Sequence, residues 1–168
     1  MDERSPDILT EIRYSREAMR FLSRSSLRAK RVLLRVDFNT PIVGGRVLDD
    51  FRIRAVLPTI RRLIRGQNRL LILSHHSQRS QSLLPAARRL ERLLGIAVTF
   101  QRTLREESAG KIALLENVRF WNGEEAESRA FARTLARFGD VFVNDAFGVA
   151  HRRGASLTVL PRLLPSYL

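Results

Sequence analysis

Five short runs of apolar residues punctuate the chain: Arg31 to Val36, Arg69 to Leu73, Ala97 to Phe100, Lys111 to Leu115 and Asp140 to Val143. Each is nearly continuous rather than alternating, the pattern of a strand covered on both faces and therefore of a parallel sheet. Between the runs the apolar period lengthens. Ile53, Val56, Leu57, Ile60, Leu63 and Ile64 share one helical face, with Asp49 or Asp50 as a cap, and Pro58 either opens the regular helix or kinks it. A second helix is expected from Ser82 to Leu94, with Pro85 in its first turn and Gly95 closing it. A third is expected from about Glu124 to Phe138, with Ala130, Phe131, Thr134, Leu135 and Phe138 inward, Glu124 and Glu125 near its positive end, and Gly139 as the stop. Thr40 to Asp50, centred on Gly44 and Gly45, reads as a tight excursion. Strands alternating with helices predict an α/β fold, a parallel sheet with helices on both faces in a Rossmann-like three-layer sandwich, without internal repeats.

Composition narrows this only modestly. At 168 residues, 44% apolar and 28% charged, the chain can bury a core and is neither disordered nor low-complexity. It contains no cysteine, which excludes disulfides, thiolate metal sites and cysteine nucleophiles. No apolar run reaches the length of a signal or membrane segment, so a cytoplasmic monomer is expected. The formal charge of +13 is unusual, and 28 of the 30 basic residues are arginine. They are scattered from Arg4 to Arg162 rather than clustered. Nucleic-acid binding is therefore not expected, or expected only as non-specific and salt-steep; an Arg-rich domain for RNA or another polyanion is the competing reading.

In an open parallel sheet, ligands bind beyond the carboxyl ends of the strands. Here those ends are polar: Asp37 and Asn39; Ser74, His75 and His76; Glu116, Asn117 and Arg119; Asn144 and Asp145. Arg152 follows the last group closely enough to return to the same edge, and Arg52 begins the segment after the glycine excursion. Several guanidinium groups at one crevice suit a small, multiply charged anion. Taken singly, Asp37, Asn39 and the Asn144-Asp145 pair could equally be turn residues, and two adjacent histidines make a poor metal site. The sequence has no GxxxxGK[ST] or GxGxxG phosphate cradle and no GxSxG nucleophile.

Four segments carry a resemblance: Arg35-Val-Asp-Phe-Asn-Thr-Pro41; Asp49-Asp-Phe-Arg-Ile-Arg54 with Leu57-Pro-Thr-Ile60; Leu114-Leu-Glu-Asn-Val-Arg-Phe120; and Val143-Asn-Asp-Ala-Phe-Gly-Val-Ala-His-Arg152. In this order they are similar to the signatures of the phosphoglycerate kinase family. The similarity runs from about Leu27 to Tyr167 and corresponds to that family's N-terminal, 3-phosphoglycerate-binding domain. Residues 1–26 then form an extension, with Met19 an alternative start, and 27–168 a domain that stops before the hinge and nucleotide domain. The resemblance implies a glycolytic phosphotransferase that moves a phosphoryl group between ATP and the carboxylate of 3-phosphoglycerate, giving 1,3-bisphosphoglycerate. Mg²⁺ with ATP or ADP would be carried by the C-terminal domain, which has no counterpart here. It also implies that Asp37 and Asn39 hold the glycerate end and that Arg52 is the catalytic residue beside the transferring group. Arg119 and Arg152 would bind the 3-phosphate, and His75 would line the pocket. Two positions depart from the family pattern. Gln78 stands where a phosphate-binding arginine is usual, leaving Arg79 as a possible substitute, and Gly154 stands where a histidine is often found.

Overall fold

A computed structural model describes residues 21–22, 27–105, 108–149 and 152–168. The expected extension up to residue 20, with Met19, lies outside the described residues. Leu22 does not behave as an extension residue: it is only 7% exposed and packs in the core.

The chain forms β1 (Arg31–Val36), a two-stranded hairpin of β2 (Ile42–Val43) and β3 (Arg46–Val47), α1 (Phe51–Ala55), α2 (Leu57–Arg65) and β4 (Arg69–Leu73). It continues through α3 (Leu84–Leu94), β5 (Thr99–Gln101), β6 (Ile112–Leu115), α4 (Asn122–Glu125), α5 (Arg129–Ala136), β7 (Val141–Asp145) and β8 (Ser166–Tyr167). The main sheet is six-stranded and parallel, in the order β5-β6-β4-β1-β7-β8. Alternate residues of the central strands feed two apolar layers. Val32, Leu34 and Val36 of β1 join the layer under α1 to α3, while Leu33 faces α5 on the other side. This double burial is why the strands are continuous in apolar residues.

The structure decides two local alternatives, at Pro58 and at Asp49 or Asp50, and corrects several boundaries. Proline cannot donate the amide that a helix interior requires, so the first helical stretch breaks at Val56 and Pro58 lies in the first turn of α2. Asp49, not Asp50, accepts the Phe51 amide, at 2.8 Å. The second helix begins at Leu84, with Ser82 outside it. The third is two helices. The backbone leaves helical geometry around Glu127, at φ 49°, and Ser128 then caps α5 through the Phe131 amide. That restart shifts the phase, so Ala132 is buried and Ala130 exposed. β7 runs two residues further than expected, pairing Asn144 and Asp145 with Arg35 and Val36. The excursion after β1 is the β2–β3 hairpin, whose two turn residues Gly44 and Gly45 have φ of 55° and 72°, where a side chain would be strained.

Candidate functional site

The direction of chain progression reverses between β1 and β7: the connection after β1 leads to β4 on one side, that after β7 to β8 on the other. The crevice expected of such a switch point lies at the ends of these two strands. Asp37 and Arg52 meet there. A terminal nitrogen of Arg52 donates to Asp37 Oδ2, while Asp37 Oδ1 accepts the Asn39 amide at 3.1 Å. Asp37 is 7% exposed. Gly148 passes so close that a Cβ there would stand 3.0 Å from Asp37 Oδ2 and 3.6 Å from Arg52, so the glycine lets the loop after β7 approach the pair.

The neighbouring strand ends are laced together. Ser74 Oγ donates to the Val36 carbonyl at 3.0 Å and accepts the Phe38 amide at 2.8 Å. Asn117 Oδ1 accepts the amides of His76 and Arg119, each at 3.2 Å, tying the loops after β4 and β6. Asn39 Oδ1 accepts the Ser77 amide at 2.9 Å. Glu116 turns away from the crevice and accepts from Ser82 Oγ and the Leu83 amide at the start of α3. Asn144 closes a turn through the Ala146 amide, at 3.1 Å. For Glu116 and Asn144 the structural role of a polar strand-end residue is thus the one observed.

The two histidines have separate fates. His76 Nδ1 accepts the Gln78 amide at 3.1 Å, which leaves Nε2 to donate to the Thr40 carbonyl at 3.0 Å. His75 Nδ1 faces a terminal nitrogen of Arg35 at 3.3 Å, so its proton resides on Nε2, a buried atom without a protein partner. Burial, reinforced by the charges of Arg35, Arg119 and Arg152, drives the His75 pKa down to about 3. The ring is therefore a neutral donor among cations.

Arg35, read from the sequence only as part of a motif, is the largest fully buried side chain. Its Nε donates to Ser156 Oγ at 3.0 Å, and that hydroxyl donates to Glu124 Oε1 at 2.6 Å. Glu124 Oε2 accepts the Ser156 amide at 3.0 Å. Burial lowers the Arg35 pKa to about 10, against the pull of Glu124 and Asp37. Glu124, in the first turn of α4 as expected of a helix-end acid, is also the 4% exposed counter-ion of this network. The network also explains Gly154, because a Cβ there would lie 2.8 Å from Glu124 Oε1. Sequence reasoning missed Arg35, Glu124 and Ser156. An arginine inside an otherwise apolar strand was the available signal.

Arg119 sits beside this network with its side chain 17% exposed. Desolvation, then Arg152, lowers its pKa, with Glu124 opposing and Arg79 adding to the shift. Its Nε is 3.3 Å from Glu125 Oε1, and Arg79 reaches the other oxygen of the same carboxylate. Arg35, Arg119 and Arg152 therefore lie close enough to His75 to act on it electrostatically, and Arg79 acts on Arg119, whereas Arg52 is held by Asp37. Of the residues expected here, Asp145 stands apart. Burial raises its carboxyl pKa, a hydrogen bond from Thr59 opposes this, and Oδ2 has no partner.

A groove of about 1030 Å³ between the hairpin and α3 is a poorer candidate. Its walls mix Arg46, Arg88 and Arg92 with Asp49 and Glu91, and its Asp50 is already engaged by Arg54 and Arg89. Among the described residues no cluster of three metal-ligating side chains occurs, and no helix is long and apolar enough to cross a membrane.

A six-stranded parallel α/β sheet with polar and arginine side chains gathered at its switch-point edge defines a doubly wound domain. The model of the family described as "Phosphoglycerate kinase" matches residues 22–168, and the chain belongs to that family. It is 42% identical over 164 residues to a phosphoglycerate kinase of Xanthobacter autotrophicus, covering 89% of this chain and 41% of the relative. Against that of Acaryochloris marina the identity is 45% over 158 residues, covering 84% and 39%. The solved phosphoglycerate kinase from Coxiella burnetii superposes with a TM-score of 0.81 at 34% identity, over 89% of this chain and 40% of that one. The Pyrococcus horikoshii structure gives 0.80 at 32% identity, over 89% and 42%. The chain thus spans about two-fifths of the length of these relatives. The family match begins at residue 22, in agreement with the burial of Leu22 and earlier than the boundary at 27.

The His75 environment has a pH consequence. Its folded pKa of about 3 lies below the ordinary 6.5, so the unfolded chain takes up a proton in that window and the folded chain does not. Stability is expected to fall as pH drops from 6.5 toward 3. Asp145 acts with the opposite sign, its raised carboxyl favouring the folded form as pH falls toward 3.8. Urea midpoints measured between pH 7 and 4 should decline less in His75→Gln than in wild type. Parallel declines would remove His75 from this role.

Proposed function

We propose that this chain is the 3-phosphoglycerate-binding half of a phosphoglycerate kinase. The observation that carries the reading is the buried His75 Nε2 donor without a partner, on a ring that Arg35 faces at Nδ1 and that feels the charges of Arg119 and Arg152. Arg119 and Arg152 take the 3-phosphate with the His75 N–H, and Arg79 serves in place of the arginine replaced by Gln78. Asp37 and Asn39 take the hydroxyl and carboxylate end. Arg52, released from Asp37, neutralises charge on the transferring group.

In the reaction a carboxylate oxygen of 3-phosphoglycerate attacks the γ-phosphorus of ATP, and the bond to the ADP oxygen breaks, leaving an acyl phosphate. The chemistry needs little more than alignment and charge neutralisation. Mg²⁺·ATP is expected on a nucleotide domain, since the sequence carries neither a GxxxxGK[ST] nor a GxGxxG phosphate cradle.

Calorimetric titration with 3-phosphoglycerate tests the reading. Weak binding by wild type is expected, and Arg119→Ala should weaken it by about 10- to 100-fold, the worth of a charge-assisted hydrogen bond of roughly 1.5–3 kcal/mol. Equal affinity in the two proteins would overturn the assignment.

A further inference from the structure

Glu124 and Glu125 are adjacent, yet their circumstances are opposite. Glu124 is immobilised by Ser156 and buried. Glu125 ends the four-residue α4, its side chain is 37% exposed, and beyond Ala126 the chain turns at Glu127, at φ 49°. Its two oxygens go to different arginines: Oε2 to Arg79 and Oε1 to Nε of Arg119 at 3.3 Å. Carboxylate and phosphate both present paired anionic oxygens to guanidinium donors, so two arginines bridged by one are set for the other.

We propose that Glu125 is an internal stand-in for the ligand's phosphate, occupying Arg79 and Arg119 in the free chain and leaving when a phosphate enters between them. The inference rests on reading these arginines as phosphate ligands and adds the residue that tunes their affinity. Arg79 lies on the loop after β4, its side chain is 62% exposed, and Glu125 is its ion-pair partner among the described residues. That carboxylate offsets the repulsion among Arg79, Arg119 and Arg152 by pairing two of them directly, whereas Glu124 acts on Arg119 only through its charge. Glu125 therefore keeps the cluster gathered and, by competing with the ligand, lowers its affinity. The same bridge brings Arg79, one residue beyond Gln78, to Arg119.

The test is calorimetric titration of wild type, Glu125→Gln and the double variant Glu125→Gln/Arg79→Ala with inorganic phosphate and with 3-phosphoglycerate at fixed ionic strength. Glu125→Gln should bind both anions about two- to fivefold tighter, as expected for removal of one partly exposed competing charge. Most of that gain should vanish in the double variant. In thermal melts the ligand-free Glu125→Gln protein should melt lower than wild type and recover with phosphate. A purely structural glutamate would lower the melting temperature without tightening binding. Unchanged or weaker binding by Glu125→Gln, with wild type still binding, overturns this inference alone. If neither protein binds either anion, the reading of the arginines as phosphate ligands fails, and this inference fails with it.

Discussion

The 168-residue chain alone should give no detectable 1,3-bisphosphoglycerate from ATP and 3-phosphoglycerate, and should gain activity when a separately produced C-terminal nucleotide domain of the family is added. Phosphoryl transfer requires both reactants in line within a cleft that excludes water. The proposed phosphate site around His75 would supply one side of that cleft, and the chain spans about two-fifths of the length of its relatives. Complementation should be weak, because two free domains must first associate, whereas a covalent hinge supplies millimolar effective concentration. A coupled assay for 1,3-bisphosphoglycerate reads the outcome. Arg52→Ala should abolish the complemented activity while leaving 3-phosphoglycerate affinity nearly unchanged, since its proposed partner is the transferring group. Robust turnover by the chain alone would contradict the assignment. Silence after addition of the domain would instead locate the defect in the acceptor pocket, at Gln78 or Gly154.

Glu124→Ala should be the most destabilising single change near the site. It removes the carboxylate that accepts both Ser156 donors and leaves Arg35, 1% exposed, without its buried counter-ion. Breaking one side of a buried charge network costs about 3–5 kcal/mol. For a domain of this size that corresponds to a fall in melting temperature of roughly 6–20 °C. Glu124→Gln should fall in between, since an amide oxygen can still accept from Ser156 but carries no charge. Thermal denaturation of the three proteins at pH 7 decides it. A melting temperature for Glu124→Ala within about 2 °C of wild type would mean that Arg35 is stabilised elsewhere. Weaker 3-phosphoglycerate binding should accompany the loss, because Arg35 also orients His75 through Nδ1.

The α/β class was legible because burial on both faces imposes continuous apolar strands, and β1 and β4 begin and end where the apolar runs do. The strand-end polar groups were legible too, since parallel topology sends all of them to one edge. Boundaries governed by local competition were less so. The break at Glu127 depends on Ser128 capping a new helix, and nothing in an amphipathic pattern from Glu124 to Phe138 reveals that choice. Roles were the least legible. Glu116, Asn117 and Asn144 read from the sequence only as polar strand ends, and the structure makes them caps and ties, because buried backbone amides at strand ends need acceptors. Arg35 looked like part of a strand motif and became the buried centre of the site, since its partner Ser156 lies 121 residues away in the sequence. The sequence by itself determined which chemistry could gather at the sheet edge. Only the tertiary structure decided which side chains at that edge are consumed in holding it together, because hydrogen bonds between distant loops set that division and leave no spacing along the chain.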